Sequence, residues 1–279
     1  MLAVLEVFLR GQAAKDVHTS RYREQFLSGS APWVAFGDSH LEGSLLSSAV
    51  LDNLGQASDN LDTIIGKVTL RAARGGLAGV ILPADPQIFS FYRVSAQQED
   101  RISVLREDYS SSLMLFDPRY RPYLGRTFWS VLENPSILLP NEKDSELSSV
   151  HTEPQRPQDW MKTVTIRVQL HTPVSNFSQT EEAEAYRELI ANLERQGIKV
   201  CMVRYPVSED YLTVSNAIPA FEEARTFFAD VADDYDIPLV DLSELLSGEL
   251  YFDPDHIPGD RMGFVSDIVH ERCGVTSPQ

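Results

Sequence analysis

Trp33-Val34-Ala35-Phe36-Gly37-Asp38-Ser39-His40-Leu41-Glu42-Gly43 is the stretch that decides the fold. Its four leading apolar residues read as a short buried strand, and Gly37 punctuates it. An amphipathic run follows, with Leu41, Leu45, Leu46, Val50 and Leu51 at helical spacing, which predicts a helix over Leu41 to Leu51. Ser39 then lies on the turn between a strand and a helix N-terminus, where unpaired N–H groups favour developing negative charge. A serine so placed is either a helix N-cap or a nucleophile, and a histidine and a carboxylate within reach would decide between them.

The same strand–helix rhythm recurs on both sides. Asp52 to Ser58 reads as a strand end and a turn containing Gly55, and Ser58 or Asp59 can cap a helix with Leu61, Ile64, Ile65, Val68 and Ala72 on its apolar face. Gly75-Gly76 ends that helix and Gly79 to Pro83 is a third strand. Further on, Glu182 to Arg195 reads as a helix, Ile198 to Arg204 as a strand, Phe221 to Tyr235 as a helix, Ile237 to Asp241 as a strand and Arg261 to Glu271 as a last helix. Strands alternating with helices across tight turns predict a three-layer, flavodoxin-like α/β domain with a parallel sheet of about five strands. The expected domain is 31–279, preceded by a polar stem over 1–30 that includes a helix near Ser20 to Leu27.

Residues 94–180 break the rhythm and read as an inserted cap. Ser111 to Phe116 and Thr127 to Leu132 suit helices there, Pro140 to Pro157 a polar loop, and Val164 to Leu170 alternates as a strand does. Tyr109, Tyr120, Tyr123, Phe128 and Trp129 give this insertion an aromatic character, suited to a glycan platform or to a core of its own.

Composition narrows the function. The 279 residues carry a formal net charge of −17 and are 43% apolar, an ordinary core with no basic run to neutralise phosphates, so no nucleic acid is expected as a partner. Cys201 reads as a buried strand residue and Cys273 as part of a loose C-terminal end. Their spacing implies neither a disulfide framework nor a zinc site. Met1 to Arg10 is too short and unflanked for a membrane span or a signal peptide. It suits either the last turns of an anchor upstream of residue 1 or an amphipathic docking helix.

The partner for Ser39 comes late in the chain. Tyr251-Phe252-Asp253-Pro254-Asp255-His256-Ile257-Pro258-Gly259 forms a loop between the fifth strand and the last helix, and in doubly wound sheets such loops share the ligand-binding edge with the turn after the first strand. His256 is the natural general base, and Asp253, three residues earlier, can hold its other nitrogen. Asp255, adjacent to His256, points elsewhere in this reading. A metal held by Asp253, Asp255 and His256 lacks a distant fourth partner, and neither metal nor cofactor is expected.

Gly37-Asp38-Ser39, Gly55 and Asp253-x-x-His256 together resemble the GDSL/SGNH hydrolase superfamily. The resemblance covers most of the chain outside 94–180. It implies serine esterase or acyl-transfer chemistry, Ser39, Asp253 and His256 as a triad, and the Ser39 and Gly55 N–H groups as part of an oxyanion hole. Gly55 is read equally well as a turn residue of positive φ. The superfamily's asparagine block is replaced by Pro83-Ala84-Asp85-Pro86-Gln87, where the Gln87 amide can stand in. More narrowly, the apolar head, the Gly-Asp-Ser-His block, the long insertion and the run from Gly197 to Tyr211 look like the envelope branch related to alginate O-acetylation and D-alanine transfer proteins. That likeness implies an acylated small molecule or glycan as substrate and a periplasmic or extracytoplasmic location, with a cytoplasmic one as the alternative. His40, His171 and Arg204 fall near the same edge and are carried as substrate contacts, a structural role being the other reading of each.

Overall fold

In the computed structural model, the apolar runs read as strands align side by side and in one direction. They are β1 (Trp33–Ala35), β2 (Leu51–Asn53), β3 (Gly79–Pro83), β4 (Lys199–Arg204) and β5 (Leu239–Asp241), in the order β2-β1-β3-β4-β5 with every pairing parallel. This is the doubly wound, flavodoxin-like order, and its switch point lies between β1 and β3. The structure describes residues 17–95, 101, 102, 105, 156–246, 248 and 251–276. The two helices and the aromatic platform read between Tyr109 and Leu132 lie outside them, as does most of the polar loop from Pro140 and the apolar head. No helix among the described residues is long and apolar enough to cross a membrane.

By its contacts the chain divides into two units, Met1–Leu27 with Glu99–Pro154 and Ser28–Gln98 with Gln155–Gln279. In the first, helix α1 (Val17–Ser28) stacks Tyr22 on Phe26 with ring centroids 6.5 Å apart. The second holds the sheet.

Strand alternation sorts the core into two faces. Trp33, Ala35, Leu51, Ile81, Cys201, Val203 and Val240 join one cluster with Val265, Val269 and Cys273 of α9 (Met262–Cys273). Val34, Val80, Leu82 and Met202, equally buried, face the other way. On that side α3 (Leu61–Ala73), α6 (Glu181–Arg195) and α8 (Pro219–Tyr235) pack in succession. Local chemistry sets their ends. Asn60 caps α3 by accepting from Thr63 N–H at 2.9 Å, and Thr180 caps α6, whose first turn carries Glu181, Glu182 and Glu184. Pro219 opens α8, where its missing N–H costs nothing.

Three expectations are corrected. The helix predicted over Leu41 to Leu51 stops after one turn, as α2 (Ser39–Glu42). Polar side chains take over the backbone bonds beyond it: Ser48 Oγ accepts from Leu51 N–H at 3.2 Å, and Asn53 Nδ2 donates to the carbonyls of Leu41, Glu42 and Leu45. Leu51 is thereby freed to start β2.

The strand expected at Val164 to Leu170 lies within α5 (Trp160–His171). Trp160, Val164, Val168 and His171 are buried at helical spacing, whereas the intervening Ile166 and Leu170 are each 48% exposed. The apparent period of two is the overlap of two faces of period four.

Cys201 and Cys273 form a buried disulfide across 72 residues, joining β4 to the end of α9. Only the sheet register, which runs α9 over β4, brings them together, so their spacing carried no sign of it.

Candidate active site

The turn that carries Ser39 is built by Asp38. It stands in extended conformation as the N-cap of α2, and its Oδ1 accepts from His40 N–H at 2.9 Å. Asp38 rather than Ser39 fills the cap, so the Ser39 hydroxyl is free of that duty. Asp38 is buried and paired with Arg93 of α4 (Phe91–Val94), Nη2 to Oδ2 at 2.7 Å. Burial alone would raise its pKa, but His40 and Arg93 hold it below the ordinary carboxylate value.

Ser39 Oγ lies 2.9 Å from His256 Nε2, and His256 Nδ1 lies 3.1 Å from Asp253 Oδ1. With Nδ1–H donating to Asp253, Nε2 is left to accept the serine proton. The structure therefore brings the three expected residues together in one continuous row. His256 and Asp253 are 29% and 40% exposed, so the reacting edge faces solvent. The loop holds its own shape: Asp253 bridges to His256 and its Oδ1 accepts from Asp255 N–H at 3.2 Å. Tyr251 and Ile257 bury its two ends, and Ser208 N–H donates to Pro254 O at 2.9 Å. Against a burial penalty, hydrogen bonds from His256 and Asp255 and the charge of Arg167 hold Asp253 well below the usual carboxylate range.

Behind this row lies a second one. His40 Nε2 meets Asp255 Oδ2 at 2.9 Å, both side chains being at most 2% exposed. Burial alone would lower the His40 pKa, but Asp38 and Asp255 overcome it and raise the ring from 6.5 to about 9. Burial raises Asp255, opposed by its bond to His40. The two imidazoles, His40 and His256, meet edge to face at 5.1 Å. Asp255, read from the sequence as pointing away, is thus central to the site.

The remaining candidates are placed as follows. Gly55 N–H donates to Asn53 Oδ1 at 2.9 Å, so its expected oxyanion bond is already taken. Gly55 does not have a positive φ; a Cβ there would stand 2.7 Å from Glu42 N and 2.8 Å from Leu41 Cδ2, so close approach to the nucleophile turn is what requires glycine. Gln87 is buried with Nε2 3.0 Å from His40 Nδ1, so its amide is engaged there. Its amide can face that ring with either end and so serves both protonation states of His40.

His171 Nδ1 lies 3.0 Å from Tyr211 Oη and 3.7 Å from Asp255 Oδ2; burial lowers its pKa well below 6.5, which keeps it neutral. Arg204 pairs with Asp241 at 2.5 Å and lines a cavity of about 30 Å³ with Asp85, Gln87 and Tyr205. Burial raises Asp85 to about 7. His40, His171 and Asp255 converge within 4.8 Å, as do Asp253, Asp255 and His256. Both sets are engaged in ion pairs among themselves with Arg167 alongside, surroundings that oppose a divalent cation.

Arg167 and Asn53 are site residues that sequence reasoning missed. Arg167 reaches the site only because α5 is a helix. Asn53 had a signal, an amide at a strand end two residues before a glycine, but its partners are backbone groups that no pattern displays.

No family model matches the chain, and no curated protein does. Among solved structures, it is similar to a Bacteroides fragilis protein described as a "putative acylhydrolase", with 11% identity, a TM-score of 0.47 and coverage of 91% of this chain and 95% of that one. It is also similar to a Streptococcus pneumonia protein described as a "putative platelet activating factor", with 13% identity, a TM-score of 0.43 and coverage of 96% of each chain.

Proposed function

We propose that this chain carries out serine-dependent acyl-ester chemistry. The observation that carries the reading is the continuous row Ser39 Oγ, His256 Nε2, His256 Nδ1, Asp253 Oδ1, with spacings of 2.9 and 3.1 Å across its two contacts. Ser39 Oγ attacks the acyl carbonyl as its proton passes to His256 Nε2. Asp253 stabilises the imidazolium. The ester C–O bond then breaks as His256 returns the proton to the leaving alkoxide, and the acyl group stays on Ser39. An acceptor hydroxyl next gives its proton to His256 and takes the acyl group, restoring Ser39. Water as acceptor makes the protein an esterase or deacetylase; a sugar hydroxyl makes it an O-acyltransferase.

The oxyanion falls first to the Ser39 N–H, which as the first residue of α2 has no intrahelical acceptor. Gly55 and Gln87 join only by leaving Asn53 and His40. One missing donor weakens the transition state by roughly 3–4 kcal/mol, so slow turnover on a generic ester is expected. The buried disulfide supports an oxidising, extracytoplasmic setting, and with it an acylated envelope glycan or small molecule as substrate.

The engaged state of those two donors favours one rival, an envelope protein that keeps the fold without catalysis and binds a glycan or a protein. p-Nitrophenyl acetate hydrolysis and fluorophosphonate labelling separate them. Ser39→Ala is expected to abolish both, with the label mapping to Ser39 in the unaltered protein. Equal hydrolysis with and without the Ser39 hydroxyl would establish the rival.

A further inference from the structure

Two carboxylates, Asp253 and Asp255, lie two residues apart on the base loop, and each serves a different histidine. Left alone, such neighbours share a proton, because two like charges so close disfavour joint ionisation. Arg167 stands between them. Its Nη2 is 3.0 Å from Asp253 Oδ2 and its Nε 3.0 Å from Asp255 Oδ1, on the far side of each carboxylate from its histidine. Imidazole, carboxylate, guanidinium, carboxylate and imidazole therefore follow one another along one row: His256, Asp253, Arg167, Asp255, His40. The row ends on Ser39 at one side, and on His40, the residue after Ser39, at the other. Resting on the serine-esterase reading above, we infer that Arg167 is a positioning residue that keeps both carboxylates ionised, each on its own histidine, and so holds His256 against Ser39.

The groups facing Asp255 bear this out from every side. α2 presents His40; α5 presents Arg167 and His171; the loop itself presents Asp253 and His256; Tyr211 of α7 (Glu209–Asn216) stands behind His171. Asp38 and Asp85 act on His40, and Arg93 acts on Asp38. Among these, Arg167 is the permanent cation in direct contact with both carboxylates. Burial already raises Asp255, so it is the carboxylate that takes a proton when the guanidinium is removed. A protonated Asp255 no longer offers His40 a counter-charge and turns its O–H on Asp253, which then divides its lone pairs between Asp255 and His256.

The test is the pH dependence of p-nitrophenyl acetate hydrolysis. In Arg167→Met the acidic limb of kcat/KM is expected to move up by about one pH unit or more, with Arg167→Lys restoring part of the shift. Adding Asp255→Asn to Arg167→Met removes the second titrating carboxylate and returns the limb to its original place, even at a lower rate. Arg167→Gln, close in length and polarity, serves as the second variant if the methionine protein does not fold, with the same expected shift. A limb unmoved in Arg167→Met and Arg167→Gln overturns the inference, as does a shift that persists once Asp255 is gone. Loss of Ser39 dependence in the unaltered protein would instead overturn the esterase reading, so the two failures are distinguishable.

Discussion

At the scale of single residues, the turn after β1 and the loop before α9 are joined twice. Ser39 and His256 are 217 residues apart in sequence and touch; so do their neighbours His40 and Asp255. The second contact is a buried ion pair whose strength depends on pH. His40 has its pKa raised in the folded state from 6.5 to about 9, so its contribution is fully present below 6.5 and is lost as pH rises through about 9. The urea midpoint is expected to fall between pH 6.5 and about 9, and to fall less in His40→Gln, as followed by circular dichroism. Residues marked by local pattern were legible from the start. Asp253 and His256 announce themselves by their spacing, and Ser39 by its place after a strand. Arg167 was not, because its role depends on contacts 86 residues away made by a segment that reads as a strand.

At the scale of elements, the sequence pattern located β1, β3, β4 and β5 to within two residues, since buried parallel strands are uninterrupted apolar runs. It failed at α2 and α5 for opposite reasons. In α2 the apolar period is helical, yet Ser48 and Asn53 satisfy the backbone otherwise. In α5 the alternation of Val164, Ile166, Val168 and Leu170 suggested a strand, yet burial picks out only every fourth residue. That difference is measurable. Val164→Ala and Val168→Ala are each expected to destabilise by about 2 kcal/mol through cavity formation, whereas Ile166→Ala, on the exposed face, changes stability by less than about 0.5 kcal/mol. A strand would make all three losses alike. Urea unfolding of the three proteins reads the comparison, and under the proposed function the two buried changes also lower p-nitrophenyl acetate hydrolysis, because α5 carries Arg167.

At the scale of the whole molecule, the disulfide is the long-range tie. Closing a ring of 72 residues contributes about 4 kcal/mol in the chain-entropy description. Replacing both cysteines by serine is expected to lower the unfolding free energy by about that amount, read from the urea midpoint with the m-value checked alongside. The ring encloses β4, α7, α8, β5 and the whole base loop, but Ser39 lies outside it. Chains are delivered from the N-terminus onward, so the serine is present while the loop that meets it is still being made. Cys273 arrives after both His256 and its carboxylate. The crosslink therefore forms only after every residue of the row from Ser39 to Asp253 has been made, and it closes a ring that holds the His256 loop but leaves the serine outside.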